Sequence, residues 1–273
     1  MEREKNWNEY ERFLRDEELA EGTIQIYMRQ AKLLVEKTKG EPLTKERMLA
    51  YRAELEREGI ADATLNLHII ALNRYLKHIA REDCTLKVRR IQKRCNLENV
   101  LSFEEYQVML NYALKSGRKK YYCIMKTMAS TGIRVSELGY FTVESMQKSR
   151  MYVRGKGKGR EIYLPMQIRK ELNDYCTNTQ IDEGIIFRGN GSKAISRAAV
   201  YKMLQKIAVS AGIPLEKAHP HSFRHLFAKT YMERYGNLTE LADILGHSSL
   251  ETTRIYTLSS AEEKCKKIEA LGF

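Results

Sequence analysis

Apolar residues in this chain recur at helical spacing over most of its length, and the pattern yields only once, to paired β-rich runs set around glycines. That combination restricts the fold class to mainly α, with one small antiparallel β-hairpin. Ile24, Tyr27, Met28, Ala31, Leu34 and Val35 share one helical face, with Thr23 expected as N-cap and Gly40 with Pro42 as the stop. Thr44 is expected to cap a second helix that carries Met48, Tyr51 and Leu55 and ends at Gly59. A third places Leu65, Ile69, Leu72, Leu76 and Ile79 on one stripe. With the segment 7–14, these make a bundle of about four helices whose outer faces are rich in Lys and Arg.

After Ala80 the periodicity fails. The run KVRRIQKR at 87–94 carries Lys87, Arg89, Arg90, Lys93 and Arg94 and no acid. A solvated linker and a basic strap along a polyanion are equally compatible with it. Order resumes at Ser102, where S-F-E-E forms a capping box with Glu105. Helices are expected through Met109 and again from Tyr121 to Ala129. MYVRG and REIYLP, flanking KGKG, give the hairpin between Met151 and Pro165. Beyond it, 198–211, 221–235, 239–245 and 248–258 are expected to be helical. The expected organisation is a helical domain over 1–82, a basic linker over 83–100 and a second domain over 101–273.

The formal charge is +12, from 47 Lys and Arg against 35 Asp and Glu. Such an excess suits a polyanionic partner, because every phosphate neutralised releases condensed counterions. Plain solubility or an anionic membrane surface would also suit it. No apolar run is long enough to cross a bilayer and the N-terminus MEREKNWNEY is polar, so a cytosolic protein without a membrane partner is expected. Cys84, Cys95, Cys123, Cys176 and Cys265 are scattered, without zinc spacing, so no metal and no cofactor is expected.

Four separated segments concentrate unusual residues. In T-G-I-R-V-S-E-L (131–138), Gly132 closes a helix and Arg134 stands three residues before Glu137. The hairpin tip runs Gly155-Lys156-Gly157-Lys158-Gly159-Arg160, H-S-F-R-H spans 221–225, and L-G-H ends at His247, nine residues before Tyr256. Each has an ordinary reading taken alone: a surface ion pair, a solvated turn, a His–Arg neighbour pair, one tyrosine among sixteen. The tip lacks phosphate-loop spacing, and His221 with His225 lacks the acid and third ligand of a zinc site. Together, however, two arginines, two histidines and a lysine amount to a cationic cage for one phosphate. With no carboxylate cluster for magnesium, side chains must supply the charge.

In this order, T-G-I-R-V-S-E-L, H-S-F-R-H, L-G-H-S-S-L-E-T-T and I-Y-T resemble the motifs of the tyrosine recombinases, the phage integrase family that includes Xer-type enzymes. The resemblance runs from about Ser102 to the end of the chain; the N-terminal helices are similar, less specifically, to that family's core-binding domain. It implies Arg134 and Arg224 as paired phosphate-binding arginines, Lys156 as the general acid for the departing 5′ oxygen, and His221 as the histidine of H-x-x-R. His247 then hydrogen-bonds the scissile phosphate and Tyr256 is the nucleophile. Glu137 matches an accessory acid that orients its neighbours, whereas His225 is expected to pack. Lys158 lies close enough to Lys156 to compete for the acid's role, and Lys158 and Arg160 join the residues of 87–94 as candidate DNA contacts.

The implied function is site-specific recombination through a 3′-phosphotyrosyl bond and a Holliday junction. The implied partner is duplex DNA with short inverted-repeat core sites, bound by a homotetramer, with a possible accessory DNA-bending or directionality protein. A nucleoid-associated enzyme of the cytoplasm is expected. Since the helical bundle starts almost at once, a simple recombinase acting on short core sites is favoured over a large integrase. A tyrosine hydroxyl has an unperturbed pKa of about 10, so a strongly positive pocket is needed to favour the phenolate. Leu258, Ile268, Leu271 and Phe273 could dock on their own domain or, as the resemblance favours, on a neighbouring protomer. Two rivals stand: a non-cutting DNA-binding protein on the same scaffold and a type IB topoisomerase-like enzyme.

Overall fold

A computed structural model describes residues 6–39, 41–91, 100–155, 158–189, 191–247, 249–257 and 269–270. The chain divides into two compact units, residues 1–94 and 95–273. Among the described residues of the first, four α-helices are present: α1 (Trp7–Asp16), α2 (Glu21–Lys37), α3 (Lys45–Arg57) and α4 (Asp62–His78). Their apolar stripes meet in one core that includes Tyr10, Leu34, Met48, Leu65, Ile69 and Leu76. Burying each such side chain is worth about 1.5–3 kcal/mol, more than helix propensity supplies. Thr44 caps α3 by accepting from the Arg47 amide. The cap of α2 is Ala20 rather than Thr23, which lies inside the first turn. That helix ends at Lys37, where Thr38 Oγ1 donates to the carbonyls of Leu34 and Val35.

Cys84 and Leu86, expected in the linker, are buried in this first core. Asn66 and Asn73 hold the backbone beyond them, Asn73 at Leu86 and Asn66 at Arg89. The segment from Leu86 to Arg89 is therefore laid against α4 by hydrogen bonds to two asparagine side chains.

The second unit opens on α5 (Phe103–Lys115), with Ser102 and Glu105 forming the reciprocal capping box, followed by α6 (Lys119–Thr131). Two strands, β1 (Arg150–Gly155) and β2 (Lys158–Tyr163), pair antiparallel with Met151 opposite Ile162 and Val153 opposite Arg160. Met151, Val153 and Ile162 are buried, so one face of the hairpin joins the core. Then come α7 (Met166–Thr179), α8 (Arg197–Ala211), α9 (Pro220–Tyr235) and α10 (Leu238–Leu245). No expectation had been drawn for α7, although Ile168, Leu172, Tyr175 and Cys176 bury one helical face. The expected helix over 248–258 is replaced by two short 3₁₀ turns, Leu250–Thr252 and Arg254–Thr257. Ser249 explains the change: its hydroxyl accepts from the Glu251 amide, and its carbonyl accepts from Thr252 Oγ1 at 2.5 Å. Such local bonds compete with helix propagation.

Among the described residues, no helix is long and apolar enough to cross a membrane, and no group of three His, Cys, Asp or Glu side chains is placed to hold a metal.

Candidate active site

The site is built around the C-terminal end of α10. The last carbonyls of a helix have no donor within it and carry the negative end of its dipole. Here three guanidiniums meet three of them in succession. Arg160 Nη1 donates to Ile244 O at 2.5 Å, Arg224 Nη2 to Leu245 O at 2.6 Å, and Arg134 Nη2 to Gly246 O at 3.1 Å. A second helix end contributes as well, since Arg224 Nη1 donates to Gly132 O at 2.6 Å, just past α6. Like charges are thus gathered without a matching set of carboxylates.

Both helix ends depend on glycine. Gly132 has φ +61° and Gly246 has φ +62°, the left-handed region that side chains disfavour. A Cβ on Gly246 would stand 2.2 Å from Arg160 Cδ, and one on Gly132 would stand 2.6 Å from the Phe227 ring. The close approach of arginine to backbone therefore needs glycine at 246.

One carboxylate lies beneath the cluster. Glu137 Oε2 accepts from the Arg134 amide and from Arg160 Nη2, each at 2.7 Å, while Oε1 accepts from Arg134 Nη1 at 3.3 Å. Its side chain is only 8% exposed, so this is a buried orienting bridge and not a surface pair. Arg160, expected among the DNA contacts, is 9% exposed at its side chain and faces inward onto Glu137 and α10. It ties β2 to the helix end that the other two arginines grip. Burial lowers its pKa, opposed by Glu137, and burial with Arg134 and Arg160 nearby brings Arg224 down to about 9. Arg224 thus remains protonated at neutral pH.

The histidines are arranged on two elements. His247 Nε2 lies 2.9 Å from Arg224 Nη2, and its Nδ1 lies 2.8 Å from Thr253 Oγ1. A guanidinium can only donate, so Nε2 accepts and the ring proton belongs on Nδ1, donated to the buried Thr253 hydroxyl. Burial, then Arg224, Arg134 and Arg160, lower the His247 pKa to about 4, which keeps the ring neutral. On α9, His219 is the N-cap, Pro220 the first residue, and His221 and Arg224 follow one turn apart on one face. His221 keeps an open edge to solvent. Partial burial and the charges of Arg224, Arg134 and Arg197, with His219 beside them, lower its pKa.

Tyr256 reaches this helix too. Its ring packs with Ala228, Leu241 and Leu245, and its hydroxyl lies 2.5 Å from His225 Nδ1. His225 is expected to pack, and it does, against the Tyr256 ring with centroids 5.6 Å apart; the hydrogen bond to the phenol is added to that packing. Thr253, the last residue of L-G-H-S-S-L-E-T-T, orients His247 through its hydroxyl.

The structure therefore joins Arg134, Glu137, Arg224 and His247 in one hydrogen-bonded network, with His221 on the same helix face as Arg224 and Tyr256 on the same helix through His225. Lys156 lies outside the described residues, as do Lys93, Arg94, Leu258, Ile268, Leu271 and Phe273, and the Lys158 side chain. Of the remaining basic candidates, Lys87 and Arg90 are exposed. Arg89 is already engaged, at 2.7 Å to Glu56 and 2.9 Å to Asp62, so it is no free cation for a phosphate.

A model of the phage integrase family matches residues 99–263. The chain belongs to that family. Along most of its length this family member resembles tyrosine recombinase XerA of Pyrococcus furiosus, at 28% identity over 268 residues, covering 96% of this chain and 92% of the relative. A tyrosine recombinase of Pseudothermotoga lettingae is 30% identical over 201 residues, 72% of this chain and 68% of the relative. These relatives set the chain among the tyrosine recombinases, the enzyme class that its motifs led us to expect. Two solved structures share the fold with TM-scores of 0.71: XerH site-specific recombinase bound to difH substrate, and a lambda integrase dimer bound to a COC' core site. The first is 21% identical and covers 92% of this chain and 79% of its own; the second is 20% identical and covers 92% and 75%.

Proposed function

We propose that this integrase-family protein binds duplex DNA at short inverted repeats and exchanges strands through a 3′-phosphotyrosyl intermediate on Tyr256. The observation that carries the reading is the gathering of Arg134, Arg224 and His247 at the end of α10, with Tyr256 anchored on the adjoining face of α9. Of the three guanidiniums, Arg134 and Arg160 pair with the one buried carboxylate and Arg224 with none, so the cluster keeps a surplus of positive charge. A phosphodiester entering it gains charge-assisted hydrogen bonds from Arg134 and Arg224, which strengthen as the phosphorus becomes pentacoordinate.

Attack by the phenol oxygen forms the phosphotyrosyl bond and breaks the bond to the 5′ oxygen, which takes a proton from Lys156. The covalent link conserves the energy of the diester, so the reverse attack by a 5′ hydroxyl reseals a strand without ATP. On the family's pattern, four protomers exchange strands in pairs through a Holliday junction, the segment beyond Tyr256 docks on a neighbour, and an accessory protein sets direction. The exposed Lys87 and Arg90 would add phosphate contacts.

The test begins with selection of an inverted repeat from a randomised duplex pool by the protein itself. A nicked duplex bearing that repeat should trap wild-type protein covalently and leave Tyr256→Phe free. Absence of an adduct with wild type would favour a non-cutting DNA-binding protein. Relaxation of any supercoiled plasmid, without the repeat, would favour a topoisomerase-like enzyme.

A further inference from the structure

We propose that His225 is the proton acceptor for the Tyr256 hydroxyl during strand cleavage, and its donor during rejoining. The inference rests on the reading of Tyr256 as nucleophile and assigns a catalytic role to a side chain that the motif comparison left as packing. A phenol attacks phosphorus well only after losing its proton, and some group must receive it.

Each histidine of the site can be weighed for that task. Both ring nitrogens of His247 are committed, Nε2 accepting from Arg224 and Nδ1 donating to Thr253. His221 stands one turn earlier on α9, with its ring centre 6.4 Å from that of His225. His225 presents Nδ1 directly to the phenol oxygen at 2.5 Å, within hydrogen-bonding distance. With Tyr256 as donor, the ring hydrogen of His225 belongs on Nε2.

The surroundings keep that nitrogen available. Burial, followed by His221, His219 and Arg224, lowers the His225 pKa to about 4, so the ring is neutral at physiological pH and its Nδ1 lone pair is free to accept. The charge of Arg224, which helps to depress its basicity before DNA binds, is offset once a phosphate enters beside it. In the forward step the proton passes from Tyr256 Oη to His225 Nδ1 as the oxygen bonds to phosphorus. The electron pair of the breaking bond leaves on the 5′ oxygen, which the general acid protonates. The imidazolium so formed faces the developing negative phosphorane, and on rejoining it returns the proton to the departing phenolate.

Single-turnover cleavage of the nicked duplex bearing the selected repeat tests the assignment. His225→Ala should cleave about a hundred-fold more slowly, with the repeat bound as tightly as by wild type, and added imidazole should restore much of the rate. His225→Asn keeps a polar atom near the Nδ1 position to hold the phenol but cannot take its proton, so it should be as slow as the alanine variant. Between pH 6 and 8 the wild-type rate should be flat on this account, whereas both variants should speed up about tenfold per pH unit. Recovery of wild-type speed by His225→Asn would reduce the role to positioning and overturn the proposal. Equal rates and equal pH slopes in all three proteins would do the same. If wild type itself forms no adduct, the reading of Tyr256 as nucleophile fails instead.

Discussion

The two units of this protein hold some of their arginines in opposite ways. In the first, Arg15 pairs with Glu11 and Glu21 on the surface, and Arg89 pairs with Glu56 and Asp62. In the second, Arg134 and Arg160 share the single carboxylate of Glu137, Arg224 has none and also meets His247, and all three are held by main-chain carbonyls at the ends of α6 and α10. A surface cation neutralised by its own carboxylate contributes little to stability or to binding. One that is held by carbonyl dipoles keeps its charge for an incoming anion. The difference separates positive charge that solvates a fold from positive charge that is stored for chemistry.

The sharpest break of this comparison comes from Arg224. Lysine offers a point charge in place of a fork, so Arg224→Lys cannot hold Gly132 O, Leu245 O and a phosphate oxygen together. Single-turnover cleavage should fall about a thousand-fold; a drop smaller than tenfold would mean that the carbonyl-held charge is not what the reaction uses.

Arg160 comes next. Arg160→Met leaves Glu137 with one cationic partner and Ile244 O without its donor. Urea denaturation should register a loss of about 2–3 kcal/mol, with cleavage slowed about tenfold through displacement of Arg134 and the α10 end. Wild-type stability in this variant would show that the bridge from β2 is dispensable.

Acid should separate the units more gently. His225 and His247 each have a pKa lowered to about 4 in the folded protein, below the ordinary histidine value of about 6.5. Between those values the unfolded chain binds more protons than the folded one, so stability falls as pH drops from about 6.5 towards 4. Melting scans across that range should show the second unit softening, with the slope reduced in His225→Asn; a flat profile would contradict the burial of two neutral rings. The smallest effect belongs to the first unit's surface, where Arg15→Ala should leave both the melting temperature and cleavage unchanged.

Much of this was legible in the sequence. The stripes of α2, α3 and α4, the Ser102 capping box and the hairpin follow from periodicity and turn chemistry, because local patterns decide them. The ordered motifs also led to Arg134, Glu137, Arg224, His247 and Tyr256, which the fold brings to adjoining elements. What escaped notice was tertiary. Arg160 looked like one more cation at a basic tip, and only the approach of β2 to α10 turns it inward. His225 had no visible partner, since Tyr256 lies 31 residues away. The helix expected over 248–258 gave way because Ser249 spends its hydroxyl and carbonyl on local bonds and Thr253 turns to His247. α7 is different: its apolar spacing was present, diluted among polar residues.

Mass mapping of protein trapped on the nicked, self-selected inverted repeat tests the central claim most directly. The account predicts a 3′-phosphonucleotide on the peptide that contains Tyr256, and none in Tyr256→Phe. Covalent DNA on any other residue, or cleavage that persists without Tyr256, would contradict it.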